Sequence, residues 1–430
     1  MNSLFNNVKI DFEDFTKDEA LKEAKRCLNC KKPFCKIGCP IENNIPEFIM
    51  EIKNENFEKA YEYIEEKSNM PAICGKICPH EKQCEGSCIL NKKGNPIKIG
   101  ALENFVSNYI FEKIDFSNFN KKEKLGNVAI IGSGPAGLSC AYILLKENFS
   151  VTIFEMEQYF GGILFYGIPE FRLKIESVKK EIEKLEKMGA KFVNNTCLGK
   201  DIFLNDLKKE FDAIFISTGA NMPKPINILG ENLKGVYNAN EFLKNVARIK
   251  NNEKNISEIE IFEEDEVLVI GGGNVAMDSA RTSKKIAKNT KVVYRRTQAE
   301  MPASNEEYLQ AVNDNIEFMW RCSPLEFIGE NGILTGLKVK NLDTEEEFII
   351  KATKILNAIG SKPELNCDEI QKDDWGYIKI LEEPFGQTNI DGVFSAGDVV
   401  HGAETVVLAM KEARKTAYSI KEYILKNKKL

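Results

Sequence analysis

Histidine is nearly missing from this chain: 430 residues contain two, His80 and His401. Neither stands at a metal-ligand spacing, and no pair of side chains suggests acid–base work. Excess positive charge is missing as well. Lys and Arg number 59 against 65 Asp and Glu, giving a net charge of −6 and a pI near 5.5. No global basic field therefore points to nucleic acid. The many lysines read as solvated helix faces, as in Lys179 to Lys187. Residues Met1 to Asp11 lack the basic-then-apolar pattern of a signal peptide. One uncharged stretch, Val128 to Leu145, approaches the length of a membrane span. Gly132, Gly134, Pro135 and Gly137 interrupt it, which suits a buried strand, a tight turn and a helix instead. These absences predict a soluble, cytoplasmic chain with no membrane or nucleic-acid role, long enough for about three domains of ~150 residues.

Cysteine is what the chain has in quantity. Eight of its twelve cysteines lie between Cys27 and Cys88. They form two arrays, Cys27-x2-Cys30-x4-Cys35-x3-Cys39-Pro40 and Cys74-x3-Cys78-Pro79-x4-Cys84-x3-Cys88. A reducing compartment disfavours disulfides. Zinc sites also use short cysteine pairs, but here they would stand without histidine. Short spacings ending in Cys-Pro are those of iron–sulfur runs, in which the Cys before Pro ligates the other of two clusters. By count alone, eight cysteines supply two sets of four for two [4Fe–4S] clusters. Cys140, Cys197, Cys322 and Cys367 are scattered and read as packing residues.

Between the arrays, Ile45, Phe48, Ile49, Ile52, Phe57, Ala60, Tyr61 and Ile64 recur at helical spacing and predict two amphipathic helices. Residues 1–120 thus read as a helical domain, followed by a polar linker at Asn118 to Asn127.

Two strand–glycine–helix units come next. Asn127-Val-Ala-Ile-Ile leads into Gly132-Ser-Gly134-Pro-Ala-Gly137, the GxGxxG turn that lets a backbone approach a pyrophosphate at a helix N-terminus. The following strand, Val151 to Glu155, ends in an acid placed for ribose hydroxyls. Val267-Leu-Val-Ile leads into Gly271-Gly-Gly-Asn274-Val-Ala276, where the last glycine is replaced. Here the second strand ends in Arg295-Arg296, suited to a 2′-phosphate that a carboxylate would repel. The pattern assigns FAD to the first turn and NADPH to the second. Gly161-Gly162 fits backbone lying against the flavin, and equally a simple turn. Ala396-Gly397-Asp398 fits a carboxylate on the ribityl chain, with a generic strand-ending turn as the rival.

These motifs, together with Ile99 to Glu103, Gly162 to Arg172, Gly271 to Arg281, Tyr294 to Pro302 and Ala396 to Ala409, closely resemble the small (beta) subunit family of NADPH-dependent glutamate synthase. The same module occurs in the large subunit of NADH-dependent ferredoxin:NADP oxidoreductase and in the N-terminal half of dihydropyrimidine dehydrogenase. The resemblance implies an α/β fold in which a helical iron–sulfur domain precedes two Rossmann-like domains, the second inserted in the first. The expected boundaries are 1–120 for the clusters, 127–220 and 361–430 for FAD, and 221–360 for NADPH. It implies that Cys27, Cys30, Cys35 and Cys88 hold one cluster. Cys39, Cys78 and Cys84 would hold the other with Glu103, where spacing alone would choose Cys74. FAD-contacting positions would be Gly132, Gly134, Pro135, Ala136, Gly137, Glu155, Gly162, Arg172, Gly397, Asp398 and Thr405. NADPH would meet Gly271, Gly272, Gly273, Asn274, Val275, Arg295, Arg296 and Gly360.

The function implied is NADPH oxidation, with electrons passed through FAD and the clusters to a glutamate synthase large subunit. A glutamine-splitting nucleophile and an FMN barrel have no place left in the chain. The alternative is the large subunit of an electron-bifurcating NADH-dependent ferredoxin:NADP oxidoreductase, working with another flavin or iron–sulfur subunit and ferredoxin. A redox-sensing module without turnover is a third reading.

Overall fold

The computed structural model describes residues 14–117, 123–254 and 260–428, so the expected linker lies partly outside the described residues. A Thr16–Glu19 capping box opens α1 (Lys17–Lys25), satisfying backbone donors that a helix start leaves unpaired. Helix α2 (Phe34–Ile37) lies within the first cysteine array. The two predicted amphipathic helices are α3 (Ile45–Lys53) and α4 (Phe57–Glu65), and every apolar position that defined them is buried. Helices α5 (Pro71–Ile77) and α6 (Ile99–Phe111) follow, α6 closing with α3 and α4 over a core that includes Phe48, Ile52, Phe57, Leu102 and Val106.

The chain then alternates strand and helix: β1 (Asn127–Ile131), α7 (Pro135–Lys146), β2 (Ser150–Phe154), α8 (Ile175–Lys187), β3 (Lys191–Val193), α9 (Leu204–Glu210) and β4 (Ala213–Ile216). A second α/β segment comes next, with β5 (Val236–Asn238), α10 (Ala239–Lys250), β6 (Glu266–Ile270), α11 (Asn274–Lys284), β7 (Asn289–Tyr294), α12 (Asn305–Asn313) and β8 (Glu317–Trp320). It ends in β9 (Cys322–Glu330), β10 (Ile333–Asn341), β11 (Glu347–Lys351) and β12 (Lys354–Asn357). The chain finishes with β13 (Val393–Ser395) and α13 (Val406–Asn427).

The first sheet has the order β13-β4-β1-β2-β3 and the second β5-β12-β6-β7-β8. Both are parallel throughout. Strands β1 and β4 are covered on both faces, which is why their sequences are almost wholly apolar rather than alternating. Strands β9-β10-β11 form a separate antiparallel sheet whose Phe327, Leu337 and Val339 share a core with Leu268, Ile270, Val293 and Ile355 of the second parallel sheet.

Among the described residues the chain forms two compact units, one of 14–165, 172–220 and 362–428, the other of 166–171 and 221–361. The helical segment and the first sheet lie in the same unit, and buried polar groups tie the two together. Asn69 Nδ2 donates to Ser139 O at 3.0 Å and to Ser139 Oγ at 2.8 Å. Lys184 Nζ donates to the carbonyl of Asn69 at 2.7 Å. Lys184 corrects the expectation of solvated lysines on α8. Its side chain is 1% exposed and pairs with the equally buried Glu181. The ammonium also faces the rings of Tyr142 and Phe111. A lysine is buried here because a carboxylate, a carbonyl and aromatic faces replace its water. Among the described residues no helix is long and apolar enough to cross a membrane.

Candidate cofactor sites

The two cysteine arrays exchange members in space. Cys27, Cys30, Cys35 and Cys88 line one pocket, so a cysteine of the second array joins three of the first. Cys35 lies on α2 and the other three thiols on irregular segments, with apolar walls from Ile45, Ile49, Ile97 and Ile99. Burial pushes the Cys35 thiol up to about 11, and the nearby Cys88 and Cys27 add to the rise. A dry pocket that disfavours bare thiolates suits ligands whose charge a metal centre would neutralise. Among the described residues no three His, Cys, Asp or Glu side chains gather closely enough for a single ion. The four thiols line one pocket together, as ligands of a shared centre would.

A second group lies deeper. Glu103 on α6 is fully buried, and burial pushes its carboxyl up to about 7. It accepts a hydrogen bond from Asn43 Nδ2 at 3.2 Å. Its charge contributes to raised values at Cys39, Cys78 and Cys84, so these four groups share one neighbourhood. Cys39 is pushed up to about 11, chiefly by burial. Cys74 is there too. Hydrogen bonding with Cys74 is the first cause of the high value at Cys78. Yet the Cys74 sulfur also lies 3.4 Å from Met410 Sδ on α13, as a packed thiol would.

The first glycine turn joins β1 to α7. Gly132 has φ +97, and a Cβ there would lie 2.5 Å from the Ser217 carbonyl. A Cβ on Gly137 would lie 2.0 Å from the Gly132 carbonyl, so these two glycines let strand and helix approach. Gly134 differs: its Cβ would meet nothing within 4 Å. It is the N-cap of α7, with no side-chain cap, and so offers an open cradle at a positive helix end. Pro135 and Ala136 are the first residues of that helix. Glu155 follows β2 and is held by Ser133, whose N–H and Oγ donate to Oε2 at 2.9 and 2.5 Å. The Gly161 N–H donates to Ser133 Oγ at 2.9 Å, and Gly162 (φ +53) lies directly against Gly134. The second strand end and the Gly161-Gly162 loop therefore converge on the turn.

From the end of the chain, Gly397 packs on Ala136 and donates its N–H to Glu412 Oε2 at 3.0 Å. Asp398 beside it is pushed up to about 7, by burial first and then by the charges of Glu404 and Glu412. Thr405 caps α13, and its buried Oγ1 has no partner. An orphaned hydroxyl and a dry carboxyl near the cradle fit a hydroxyl-rich, anionic ligand such as FAD. Arg172 is buried on the loop before α8.

The second turn repeats the first. Gly271 has φ +141, and a Cβ would lie 2.5 Å from the Ala358 carbonyl. Gly272 lies under the ring of Tyr294. Gly273 caps α11 with open space where its Cβ would be, matching Gly134. Asn274 and Val275 begin α11, and Ala276 is fully buried in place of the third glycine. Arg295 and Arg296 are exposed just past the end of β7. Gly360 (φ +115) follows β12, its carbonyl bonded to the Lys224 N–H at 3.0 Å.

Sequence reasoning missed Arg321. It follows β8, the parallel neighbour of β7, and its N–H donates to the Arg296 carbonyl at 3.2 Å. Both arginines lower the Glu300 carboxyl, after the hydrogen bonds from Thr297 that hold it. A basic residue at the carboxyl end of the adjoining strand was the available signal.

Two glycine cradles on parallel sheets, with a thiol-lined helical segment, define a pyridine-nucleotide oxidoreductase carrying an iron–sulfur module. A family model for pyridine nucleotide-disulphide oxidoreductase matches residues 126–413, and one for dihydropyrimidine dehydrogenase domain II, 4Fe-4S cluster, matches residues 4–114. The glutamate synthase [NADPH] small chain of Escherichia coli K12 is 32% identical over 443 residues, covering 96% of this chain and 93% of that one. The small chain of Azospirillum brasilense is 30% identical over 438 residues, covering 95% and 90%. The E. coli NAD-dependent dihydropyrimidine dehydrogenase subunit PreT is 32% identical over 412 residues, covering 95% of each chain. The chain belongs to the glutamate synthase small-chain family of iron–sulfur, pyridine-nucleotide oxidoreductases. Among solved structures, Lactococcus lactis thioredoxin reductase has a TM-score of 0.55 at 23% identity, covering 70% of this chain and 99% of that one. Mycobacterium tuberculosis FprA in complex with NADPH has a TM-score of 0.61 at 18% identity, covering 71% and 86%. Those two likenesses concern the fold.

Proposed function

We propose that this chain oxidises NADPH and passes the electrons one at a time to a glutamate synthase large subunit. The observation carrying this reading is the matched pair of helix-capping glycines, Gly134 and Gly273, whose neighbouring strand ends carry opposite charge. The first turn would hold FAD and the second NADPH; FAD would supply acceptance of a hydride, and two [4Fe–4S] clusters would supply one-electron exits for its two electrons, with the proton released to solvent.

The protein's part is to bind and orient. Glu155, fixed by Ser133, offers acceptors to ribose hydroxyls, while Asp398 and Thr405 face the flavin chain. Arg295 and Arg296 supply guanidinium groups for the 2′-phosphate, which favours NADPH over the NAD of the dihydropyrimidine dehydrogenase relative, while Arg321 beside them is paired with Asp343 at 2.9 Å. Cys27, Cys30, Cys35 and Cys88 hold one cluster; Cys39, Cys78, Cys84 and Glu103 hold the other. In this assignment residues 1–120 carry the clusters, 127–220 with 361–430 bind FAD, and 221–360 bind NADPH, in a cytoplasmic enzyme.

The test mixes the purified chain with a glutamate synthase large subunit, glutamine and 2-oxoglutarate. NADPH should bleach the flavin and glutamate should form. Bleaching without glutamate would keep the oxidoreductase and overturn the partner. A dihydropyrimidine dehydrogenase partner is the second reading, favoured by the relative that matches 95% of the chain.

A further inference from the structure

We propose that the chain forms a two-fold dimer in which strand β11 pairs with the same strand of a second copy. Strand β11 (Glu347–Lys351) is the last strand of the antiparallel sheet β9-β10-β11. The opposite edge is covered, since the Phe327 N–H on β9 donates to the Leu229 carbonyl at 2.9 Å. Along β11 the bonds to β10 alternate. The Glu346 carbonyl accepts from the Asn341 N–H at 2.9 Å, and the Ala352 N–H donates to the Thr335 carbonyl at 3.2 Å. Phe348 opposite Val339 and Ile350 opposite Leu337 fall in the same register. The even-numbered residues therefore direct their main-chain groups into the sheet, and Glu347, Ile349 and Lys351 turn theirs outward. All three are exposed, Ile349 to 60%. An edge with free donors and acceptors is a template for another strand.

Charge selects that strand. Ile349 is the centre of the outward triplet, with an acid two residues before it and a base two residues after. An antiparallel copy centred on Ile349 sets Glu347 of each chain opposite Lys351 of the other. Ile349 then meets Ile349, and each of these pairs exchanges two main-chain hydrogen bonds. Parallel pairing would place Glu on Glu and Lys on Lys, which is destabilising. Charges on an edge usually keep other strands away. These are arranged symmetrically about one residue, so they admit the chain's own copy through an isologous contact. Lys338 on β10 holds Glu347 on this face at 2.7 Å, while Lys351 makes no ion pair among the described residues. Phe348 and Ile350 pack on the core that contains Phe327, Leu337 and Val339, so the pairing asks for no rearrangement of the sheet.

Sedimentation of the full-length protein at rising concentration tests the proposal. The unaltered chain should shift from the mass of one chain toward twice that mass. Glu347→Lys alone and Lys351→Glu alone each put like charges at both ends of the strand pair, and each should weaken dimerisation about tenfold at low salt. Mixed in equal amounts, these two variants are complementary and should dimerise with each other. The double variant Glu347→Lys, Lys351→Glu should recover self-association. Ile349→Pro removes the central outward N–H, which bonds nothing within its own sheet, so this variant should fold and remain a monomer. NADPH should bleach the flavin of every variant to the same extent. A single mass for the unaltered chain at every concentration overturns the proposal, as does a dimer that survives Ile349→Pro. A dimer that the single charge variants fail to restore on mixing overturns it equally, and that result decides the matter should the proline variant not fold.

Discussion

Replacing Glu103 by alanine should empty one cluster site and leave the other filled. Two cubane clusters carry about eight irons per chain. The Glu103→Ala variant, reconstituted without oxygen, should hold about four, while Cys74→Ala should keep about eight. The reason is electrostatic. Glu103 is buried, and its carboxyl rises from 4.5 to about 7 because burial removes its water, partly offset by a hydrogen bond with Ser68. That rise corresponds to about 3 kcal/mol disfavouring the carboxylate, at roughly 1.36 kcal/mol per pH unit. The sign follows from linkage. In protein stripped of iron, this contribution to stability is fully present below pH 4.5 and is lost as pH rises through about 7. Stripped Glu103→Ala should escape that loss and gain on the unaltered protein by about 3 kcal/mol near pH 8. With iron the order reverses, since a ferric or ferrous centre holds the ionised carboxylate and releases its proton. Cys74→Ala removes one packed sulfur beside Met410 and should cost about 1 kcal/mol at every pH. Iron and sulfide analysis, with chemical denaturation across pH, reads both effects. Iron loss in Cys74→Ala but not in Glu103→Ala would refute the reasoning.

Arg295→Ala combined with Arg296→Ala should raise the KM for NADPH roughly 10- to 100-fold, as expected for lost charged hydrogen bonds, and that for NADH less than about twofold. Steady-state kinetics with both nucleotides checks this, and equal effects would exclude a 2′-phosphate role. Gly134→Ala should fold with an unchanged melting temperature but retain little FAD, because its methyl enters open space that a pyrophosphate would need. Gly137→Ala should lower the melting temperature itself, since its Cβ would sit 2.0 Å from a carbonyl. Full flavin content in Gly134→Ala would remove the cradle from the site. Lys184→Met should destabilise the protein by about 3–5 kcal/mol by stranding Glu181, with most of that recovered in Lys184→Met, Glu181→Gln. Urea titration of the single and double variants measures the coupling.

Local chemistry made most of the fold legible in the sequence. The eight apolar positions from Ile45 to Ile64 face the core because helical spacing leaves them one side to occupy. The β1 and β4 sequences announced parallel strands because both faces had to be apolar. Gly132, Gly137 and Gly271 carry their own steric reason, since each replaces a side chain that would strike a carbonyl. Arg295 and Arg296 opposite Glu155 gave the two nucleotide turns different charge before any coordinates were needed.

What spacing could not decide was which groups meet. Cys88 joins the first array and Cys39 the second because loops around α3 and α6 bring them there, a long-range event without a local signature. Lys184 looked like its solvated neighbours, and only the packing of α8 against Asn69 and Tyr142 buried it. Arg321 came to lie beside Arg296 through pairing of β7 with β8. The sequence by itself determined which residues form helices, strands and turns, because those follow from contacts a few residues apart. Only the tertiary structure decided the grouping of thiols and the company of Glu103, because burial and charge proximity depend on where remote segments finish.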